Sequence, residues 1–227
     1  MLYAISDLHL SFSQNKTMDK YGGAWVNHVS KIKNNWLDII KPDDTVLICG
    51  DISWAMRIDE ALLDLGFVDN LPGHKIIISG NHDYYFGQLN KLKGRLASID
   101  ILKNNYYIAE GIGICGTRGW VCPNAIEFSD NDEKIYKREL KRLRLSLDSC
   151  IKSGVEEIYI MMHFPPTNEQ KEVSGFIEIA GGYPVKKFIY GHLHGEGSFY
   201  SSLMGSHYGI EFILTSGDYL GFKPVLI

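Results

Sequence analysis

The chain has 227 residues, of which 45% are hydrophobic and 22% charged, and its formal net charge is -4. This length suffices for one substantial core, so we expect a single domain over residues 1–227. The acidic balance offers no broad basic field to neutralise phosphates, which disfavours a stable nucleic-acid complex. The cysteines are scattered without close pairs, so a thiolate zinc site is not expected.

The N-terminal segment carries no targeting pattern. Met1 leads straight into an apolar run, and Asp7, a candidate metal ligand, follows it. The apolar run over residues 155–162 has the length of a strand and contains Glu156 and Glu157, so no transmembrane helix is predicted. We therefore expect a cytoplasmic protein without a membrane partner. The sequence leaves the oligomeric state open.

Short apolar runs alternate with helical patterns along the chain. Five runs rich in Ile, Val and Leu each end in a polar cluster, at residues 2–5, 45–49, 75–79, 158–162 and 187–190. Such runs without polar alternation are typical of strands buried on both faces. Between them, apolar residues at three- and four-residue steps predict helices over residues 25–40, 61–68, 89–96 and 136–151.

The remaining segments favour additional strands. Residues 106–115 read as a strand and hairpin interrupted by glycines, and residues 208–214 and 223–227 bracket a Ser-Gly-Asp turn. Strand-helix alternation followed by extra strands predicts an α/β domain with a substantial β component.

The polar clusters predict a metal centre. In open α/β sheets, ligands collect beyond the carboxyl ends of the strands, so residues far apart in sequence are expected to meet at one edge. Carboxylate, imidazole and amide groups suit Mn, Fe, Zn, Co or Ni. The seven candidate ligands exceed the needs of one ion, which predicts a two-metal site with Asp51 as the natural bridge. The candidates are Asp7, His9, Asp51, Asn81, His163, His192 and His194.

These clusters together resemble the calcineurin-like metallophosphoesterases. The motifs, in that family's order, are Asp7-x-His9, Gly50-Asp51, Gly80-Asn81-His82-Asp83, His163 after a strand, and Gly191-His192-x-His194. The resemblance implies a four-layer α/β/β/α sandwich with mixed sheets and two divalent or trivalent metal ions, manganese being the first expectation. It assigns Asp7, His9, Asp51 and His194 to one metal, and Asp51, Asn81, His163 and His192 to the other.

The expected reaction is hydrolysis of a small phosphodiester or phosphomonoester. Two metal ions would lower the pKa of a bridging water towards ~7 and so provide a hydroxide nucleophile. The resemblance places His82 near the leaving group as general acid. Protein phosphatases of the superfamily carry an Asp and an Arg where this chain has Trp54 and Ala55, so a phosphoprotein substrate is disfavoured. The residue that orients His82 stays open, with Asp83 a candidate by adjacency.

Three further residues are candidate substrate contacts. Arg118 lies in a Gly-rich loop after a strand, where recognition residues often occur. Arg57 follows the Asp51 motif, with a surface ion pair as its alternative role. Tyr84 follows the ligand motif of Asn81 and would stack on an aromatic group, with core or lid packing as its alternative.

Two other functions compete with a small-molecule phosphoesterase. A nuclease would nick single-stranded nucleic acid with a steep salt dependence, and the acidic composition disfavours it. A non-catalytic scaffold would be expected to have lost ligands or the catalytic histidine, and every one of these is present. His28, His74 and His207 stand outside the clusters, so we expect no catalytic role for them.

Overall fold

The computed structural model describes residues 1–14, 16–92 and 94–227, without the side chains of residues 89–92. Its strands are β1 (Leu2–Ile5), β2 (Thr45–Ile48), β3 (His74–Ile77), β4 (Ile99–Ile101), β5 (Tyr107–Ala109), β6 (Ile112–Thr117), β7 (Ile158–Met162), β8 (Val185–Tyr190), β9 (Gly205–His207), β10 (Ile210–Leu214) and β11 (Val225–Leu226). Its α-helices are α1 (His28–Ile39), α2 (Ile58–Asp69), α3 (Asp130–Ile151), α4 (Gly175–Ala180) and α5 (Glu196–Ser201).

The strands form two mixed sheets. One has the order β11-β1-β2-β3-β4, and the other has the order β5-β6-β7-β8-β10-β9. β1 to β4 are parallel, and β11 pairs antiparallel with β1. In the second sheet β6, β7, β8 and β10 are parallel, with antiparallel strands at both edges.

Three apolar layers hold these elements together. The two sheets pack face to face through a cluster that includes Ala4, Leu47 and Met161. Alternate residues of the first sheet point the other way, against α1 and α2, and those of the second sheet face α3 and α4. Each central strand is therefore buried on both faces, as its uninterrupted apolar sequence predicts. The result is the expected four-layer α/β/β/α sandwich with mixed sheets.

The helices follow local sequence signals. Ser129 caps α3, because its side chain accepts a hydrogen bond from the backbone N–H of Asp132. The Asp132 carboxylate in turn accepts a hydrogen bond from the backbone N–H of Ser129. Leu143 and Leu147 of the same helix are buried against the second sheet. α1 starts at His28 rather than at residue 25, because Asn27 adopts a left-handed backbone (φ 55°) that separates it from the 3₁₀ turn at Gly23–Trp25.

Two of the expected helices differ from the observed ones in their bounds or type. The helix expected over residues 61–68 is the middle of the longer α2. The helix expected over 89–96 includes Lys93, which is outside the described residues, and the chain before it forms a 3₁₀ helix at Tyr84–Leu92. Within the described ranges, no helix combines the length and hydrophobicity needed to cross a bilayer.

Candidate metal centre

Five strands end at the same place. β1, β2 and β3 of the first sheet and β7 and β8 of the second run in parallel within their sheets, and the polar clusters follow their carboxyl ends. The structure brings the seven candidate ligands together there, across the junction of the two sheets. This is the edge at which ligands of α/β sheets collect.

One group of ligand atoms consists of Asp7, His9 and His194. All three lie within 4.8 Å of one another. His194 Nε2 is 3.5 Å from Asp7 Oδ1 and 3.4 Å from His9 Nε2. Asp7 and His9 are almost completely buried, and His9 Nδ1 has no hydrogen-bond partner among the described residues.

A second group surrounds His163. Its Nδ1 lies 2.9 Å from the Cys49 carbonyl oxygen, which can only accept, so Nδ1 carries the proton and the Nε2 lone pair faces the site. Nε2 is 2.7 Å from Asn81 Oδ1, 3.1 Å from His192 Nδ1 and 3.5 Å from Asp51 Oδ2. Two acceptors and two imidazoles thus face one another.

Asp51 lies between the two groups. Its Oδ2 is 3.7 Å from His9 Nε2 on one side and 3.5 Å from His163 Nε2 on the other. Its Oδ1 accepts a hydrogen bond from the His82 backbone N–H at 2.8 Å, which fixes the direction of the carboxylate. Asp7, a member of the first group, also has a carboxylate oxygen within 4.8 Å of the ligand atoms of Asp51 and His163. The donors present, carboxylates, imidazoles and an amide oxygen, fit divalent transition metals.

The backbone bends sharply to present these side chains. Asp7, His9, Asp51 and His192 all have positive φ, at 57°, 43°, 51° and 73°. Non-glycine residues adopt this region rarely and at a cost, and such strain clusters at functional sites.

Glycines in the motifs allow the strand ends to approach closely. A Cβ on Gly80 would lie 2.6 Å from Cγ of Asp51, and a Cβ on Gly191 would lie 2.7 Å from Cβ of Ser6 and closer still to the Asp7 carboxylate. Any side chain at these two positions would therefore displace a candidate ligand.

The charges of the cluster favour a cation. Burial by itself would raise the pKa of Asp7, but a hydrogen bond from His194 and the surrounding imidazoles hold that pKa far below its ordinary value. Burial and the neighbouring Asp7 raise the pKa of Asp51 to about 7. Burial and His163 lower the pKa of His192 to about 3. Carboxylates packed, with little solvent, against the imidazoles of His9, His163 and His192, whose pKa values burial lowers, form an arrangement that a bound cation would stabilise.

Comparison with protein families decides the classification. The family model described as calcineurin-like phosphoesterase matches residues 2–196, which include all seven candidate ligands. The chain belongs to the calcineurin-like phosphoesterase family. Membership supports a phosphoesterase that uses divalent metal ions, in agreement with the expectation from the motifs.

The chain is similar to individual proteins over part of its length or at low sequence identity. It is 32% identical over 78 residues to the gene 66 protein of Mycobacterium phage L5, a match that covers 34% of this chain and 37% of that protein's length. The crystal structure of phosphopantetheinyl hydrolase from Mycobacterium tuberculosis superposes with a TM-score of 0.59 at 15% identity, covering 95% of this chain and 88% of that one. A protein of unknown function from Aquifex aeolicus gives a TM-score of 0.48 at 21% identity, covering 99% and 94%. The likeness to the hydrolase shows a shared fold.

Asp218 is a residue of the candidate metal centre that the sequence did not reveal. Its Oδ1 is 3.0 Å from His194 Nδ1, and its Oδ2 accepts the Gly195 backbone N–H at 2.9 Å. Burial opposes protonation of His194, but Asp218 and Asp7 outweigh it and raise the pKa of His194 to about 10. By accepting from Nδ1, Asp218 directs Nε2 towards the ligand cluster, as outer carboxylates do for metal-binding histidines.

His82 lies beside the cluster. Its Nε2 is 4.0 Å from Asp51 Oδ2, and its side chain is 32% exposed. The ring packs against Trp54 at a centroid distance of 4.2 Å and against His9 at 5.7 Å. Burial and nearby His163 and Lys16 lower the pKa of His82, which favours the neutral imidazole in the free protein.

Asp83 does not take the role that its adjacency to His82 suggested. Its carboxylate accepts hydrogen bonds from three backbone N–H groups, of Ile52, Ser53 and Gly80, at 3.0, 3.2 and 2.7 Å. The Tyr85 hydroxyl donates a fourth at 2.9 Å. Asp83 therefore ties the loops after β2 and β3 together, and the contacts of the His82 ring are with Trp54, His9, Tyr84 and Asp51.

A cavity of about 890 Å³, here called the main cavity, opens in front of the ligands. It is lined by His9, His82, His192 and His194 and walled by aromatic side chains, Tyr21, Trp25, Trp54, Phe199 and Tyr219. Its size and apolar walls with a few convergent polar groups are typical of small-molecule sites.

The structure places the three candidate substrate contacts in different surroundings. Arg118 stacks on Trp120 at 4.5 Å, its backbone oxygen accepts the His163 N–H, and burial lowers the pKa of its guanidinium. Arg57 is exposed at the start of α2 and pairs with Glu60 at 3.4 Å, the surface role considered for it. Tyr84 is exposed beside the His82 ring. None of the three is among the described lining residues.

Proposed function

We propose that this chain is a metal-dependent phosphoesterase that hydrolyses a small phosphodiester or phosphomonoester. The observation that carries the proposal is the convergence of five strand-end motifs, which places Asp7, Asp51, His163 and His194 within a few ångströms of one another. Family membership gives the same reaction class.

The ligands divide into two sets around Asp51. Asp7, His9 and His194 with Asp51 would hold one ion, and Asn81, His163 and His192 with Asp51 would hold the other. Manganese is the first expectation, and iron, zinc, cobalt or nickel would suit the same donors. When bound, two such ions would neutralise phosphate oxygens and lower the pKa of a bound water.

His82 is proposed as the general acid. In hydrolysis, a water oxygen forms a bond to phosphorus, the P–O bond to the ester group breaks, and the departing oxygen takes a proton. The His82 imidazolium would donate that proton and regain one from solvent. Its lowered pKa in the free protein opposes this role, whereas an anionic phosphate beside the ring would restore the proton.

The test compares His82→Ala with wild type on two diesters, bis-p-nitrophenyl phosphate and methyl phenyl phosphate, in manganese buffer. Phenolate is the poorer leaving group, so the variant should lose about 10²-fold or more in kcat on methyl phenyl phosphate and less on the nitrophenyl ester. His74→Ala is the matched control, because His74 pairs with Asp100 away from the site.

Equal losses on both diesters would defeat the general-acid role. No turnover by wild type with any divalent ion would favour the non-catalytic scaffold. Nicking of single-stranded DNA with a steep salt dependence, in the absence of small-diester turnover, would favour the nuclease.

A further inference from the structure

A second cavity adjoins the main cavity. This side cavity has a volume of about 540 Å³ and is walled chiefly by Phe199, Tyr200, Leu203, Met204 and Tyr219. It shares Glu196, Phe199 and Tyr219 with the main cavity, so the two cavities lie on either side of these residues. The Phe199 and Tyr219 rings pack edge to face, with centroids 5.0 Å apart, and form the ridge between them.

The side cavity is an exposed apolar surface. Tyr219 is 41% exposed and Met204 is 37% exposed, although Leu203 beneath them is buried. An apolar group that covers apolar surface in a concave groove binds favourably, because both surfaces are removed from water. Because the side cavity shares three lining residues with the main cavity in front of the ligands, an ester group of a phosphate bound there can extend towards it.

The charges of the two cavities differ. Besides the candidate ligands and His82, the charged groups that line the main cavity are the carboxylates of Glu196 and Asp218, and its described lining includes no Lys or Arg. Lys171 lines the side cavity, together with Glu196 and His207. A phosphate with two negative charges meets no Lys or Arg in this described lining, since Lys16 lies over the Trp54 ring outside it, and it meets two acids. A diester, with one negative charge and two ester groups, matches this surface better.

We propose that the substrate is a phosphodiester with an extended apolar ester arm. The phosphate lies at the ligand cluster, and the arm crosses the Phe199–Tyr219 ridge into the side cavity, where Met204 and Leu203 cover it. The inference rests on the proposed phosphoesterase function, and it adds the class of ester that the cavities select.

The test uses p-nitrophenyl diesters whose second ester group is methyl, butyl or octyl, below their critical micelle concentrations. All release p-nitrophenolate, so their chemistry is matched. The octyl diester should exceed the methyl diester at least about tenfold in kcat/KM. Calorimetry with octylphosphonate and methylphosphonate, whose P–C bonds are not hydrolysed, should show the same preference in affinity.

Two variants with the same added charge locate the arm. Met204→Glu places a carboxylate in the side cavity and should reduce the octyl-to-methyl ratio to about two or below. Tyr208→Glu adds the charge at an exposed residue outside the described lining, and it should leave the ratio at its wild-type value.

The outcomes separate the two proposals. Turnover of the methyl diester with no gain for octyl, together with equal phosphonate affinities, would overturn the arm proposal and leave the phosphoesterase intact. A chain-length preference that survives Met204→Glu, or that Tyr208→Glu reduces equally, would also overturn it. If no diester is hydrolysed, the arm proposal fails, whereas turnover of the monoester p-nitrophenyl phosphate in the same buffer would leave the phosphoesterase intact. If neither kind of ester is hydrolysed, the proposed function fails as well.

Discussion

The Asp218→Asn substitution tests how the fold holds one of its proposed metal ligands. In the native chain the two carboxylate oxygens each accept one hydrogen bond, from His194 Nδ1 at 3.0 Å and from the Gly195 N–H at 2.9 Å. Asparagine has one carbonyl oxygen for these two donors, and its NH₂ group would face the other donor. The substitution keeps the shape and removes both the charge and one acceptor.

The expected cost follows from the role of such outer partners. Loss of the carboxylate behind a metal-binding histidine typically weakens the metal about 10- to 100-fold, or about 1.4–2.8 kcal/mol. Calorimetric titration of chelator-treated protein with Mn²⁺ should show this loss at one of two binding steps. The step assigned to Asn81, His163 and His192 should change little, because these residues do not contact Asp218 in the structure.

Asp148→Asn is the matched control. It removes the same charge from an exposed carboxylate of α3 that accepts a hydrogen bond from Tyr183 at 2.6 Å. Mn²⁺ affinities of Asp218→Asn equal to those of wild type would refute the reasoning. So would an equal weakening by Asp148→Asn, since the effect would then be one of net charge.

Three further perturbations test the packing and the electrostatics. Gly191→Ala should displace the Asp7 carboxylate and abolish Mn²⁺ binding at one site in calorimetry, whereas Gly66→Ala, with open space around its Cβ, should preserve it; equal binding by both would contradict the close approach. Leu143→Ala should lower the free energy of unfolding by about 2–5 kcal/mol in urea melts, because Leu143 is buried. Leu145 is exposed, so Leu145→Ala should lower it by less than about 0.5 kcal/mol. Similar values for the two variants would contradict the orientation of α3. Burial lowers the pKa of Lys75 to about 8 from 10.5, so between these values the unfolded chain binds more protons and wild-type stability should rise with pH. From pH 7.5 to pH 10 the unfolding free energy of wild type should rise by about 2–3 kcal/mol relative to that of Lys75→Met. A difference between the two proteins that stays constant over this range would contradict the lowered pKa of Lys75.

The sequence was informative where local pattern and long-range geometry coincide. Strands buried on both faces, such as β2 and β7, are uninterrupted apolar runs, and their carboxyl ends are where the site forms. The stripe from Tyr136 to Ile151 predicts α3 because one face of a helix must be apolar to pack on a sheet. The motifs could be placed together because parallel strands end at one edge.

What could not be predicted depends on contacts between distant segments. Asp218 meets His194 only because the turn after β10 lies against the loop after β8, and a lone Ser-Gly-Asp turn carries no signal of that. The hydrogen bonds of the Asp83 carboxylate could not be predicted either, since adjacency in a loop does not fix which way a side chain points. The side cavity is built by α5 and by Tyr219, elements too short or irregular to be read from periodicity.

The most direct test of the proposed two-metal phosphoesterase measures metal content and turnover in the same samples. Chelator-treated protein is titrated with Mn²⁺, and hydrolysis of bis-p-nitrophenyl phosphate is followed alongside bound metal. We expect activity to appear with metal and to level off at two ions per chain, with Asp51→Asn losing both the bound ions and the turnover. Full turnover without added metal, or the same binding and activity in Asp51→Asn, would contradict the account.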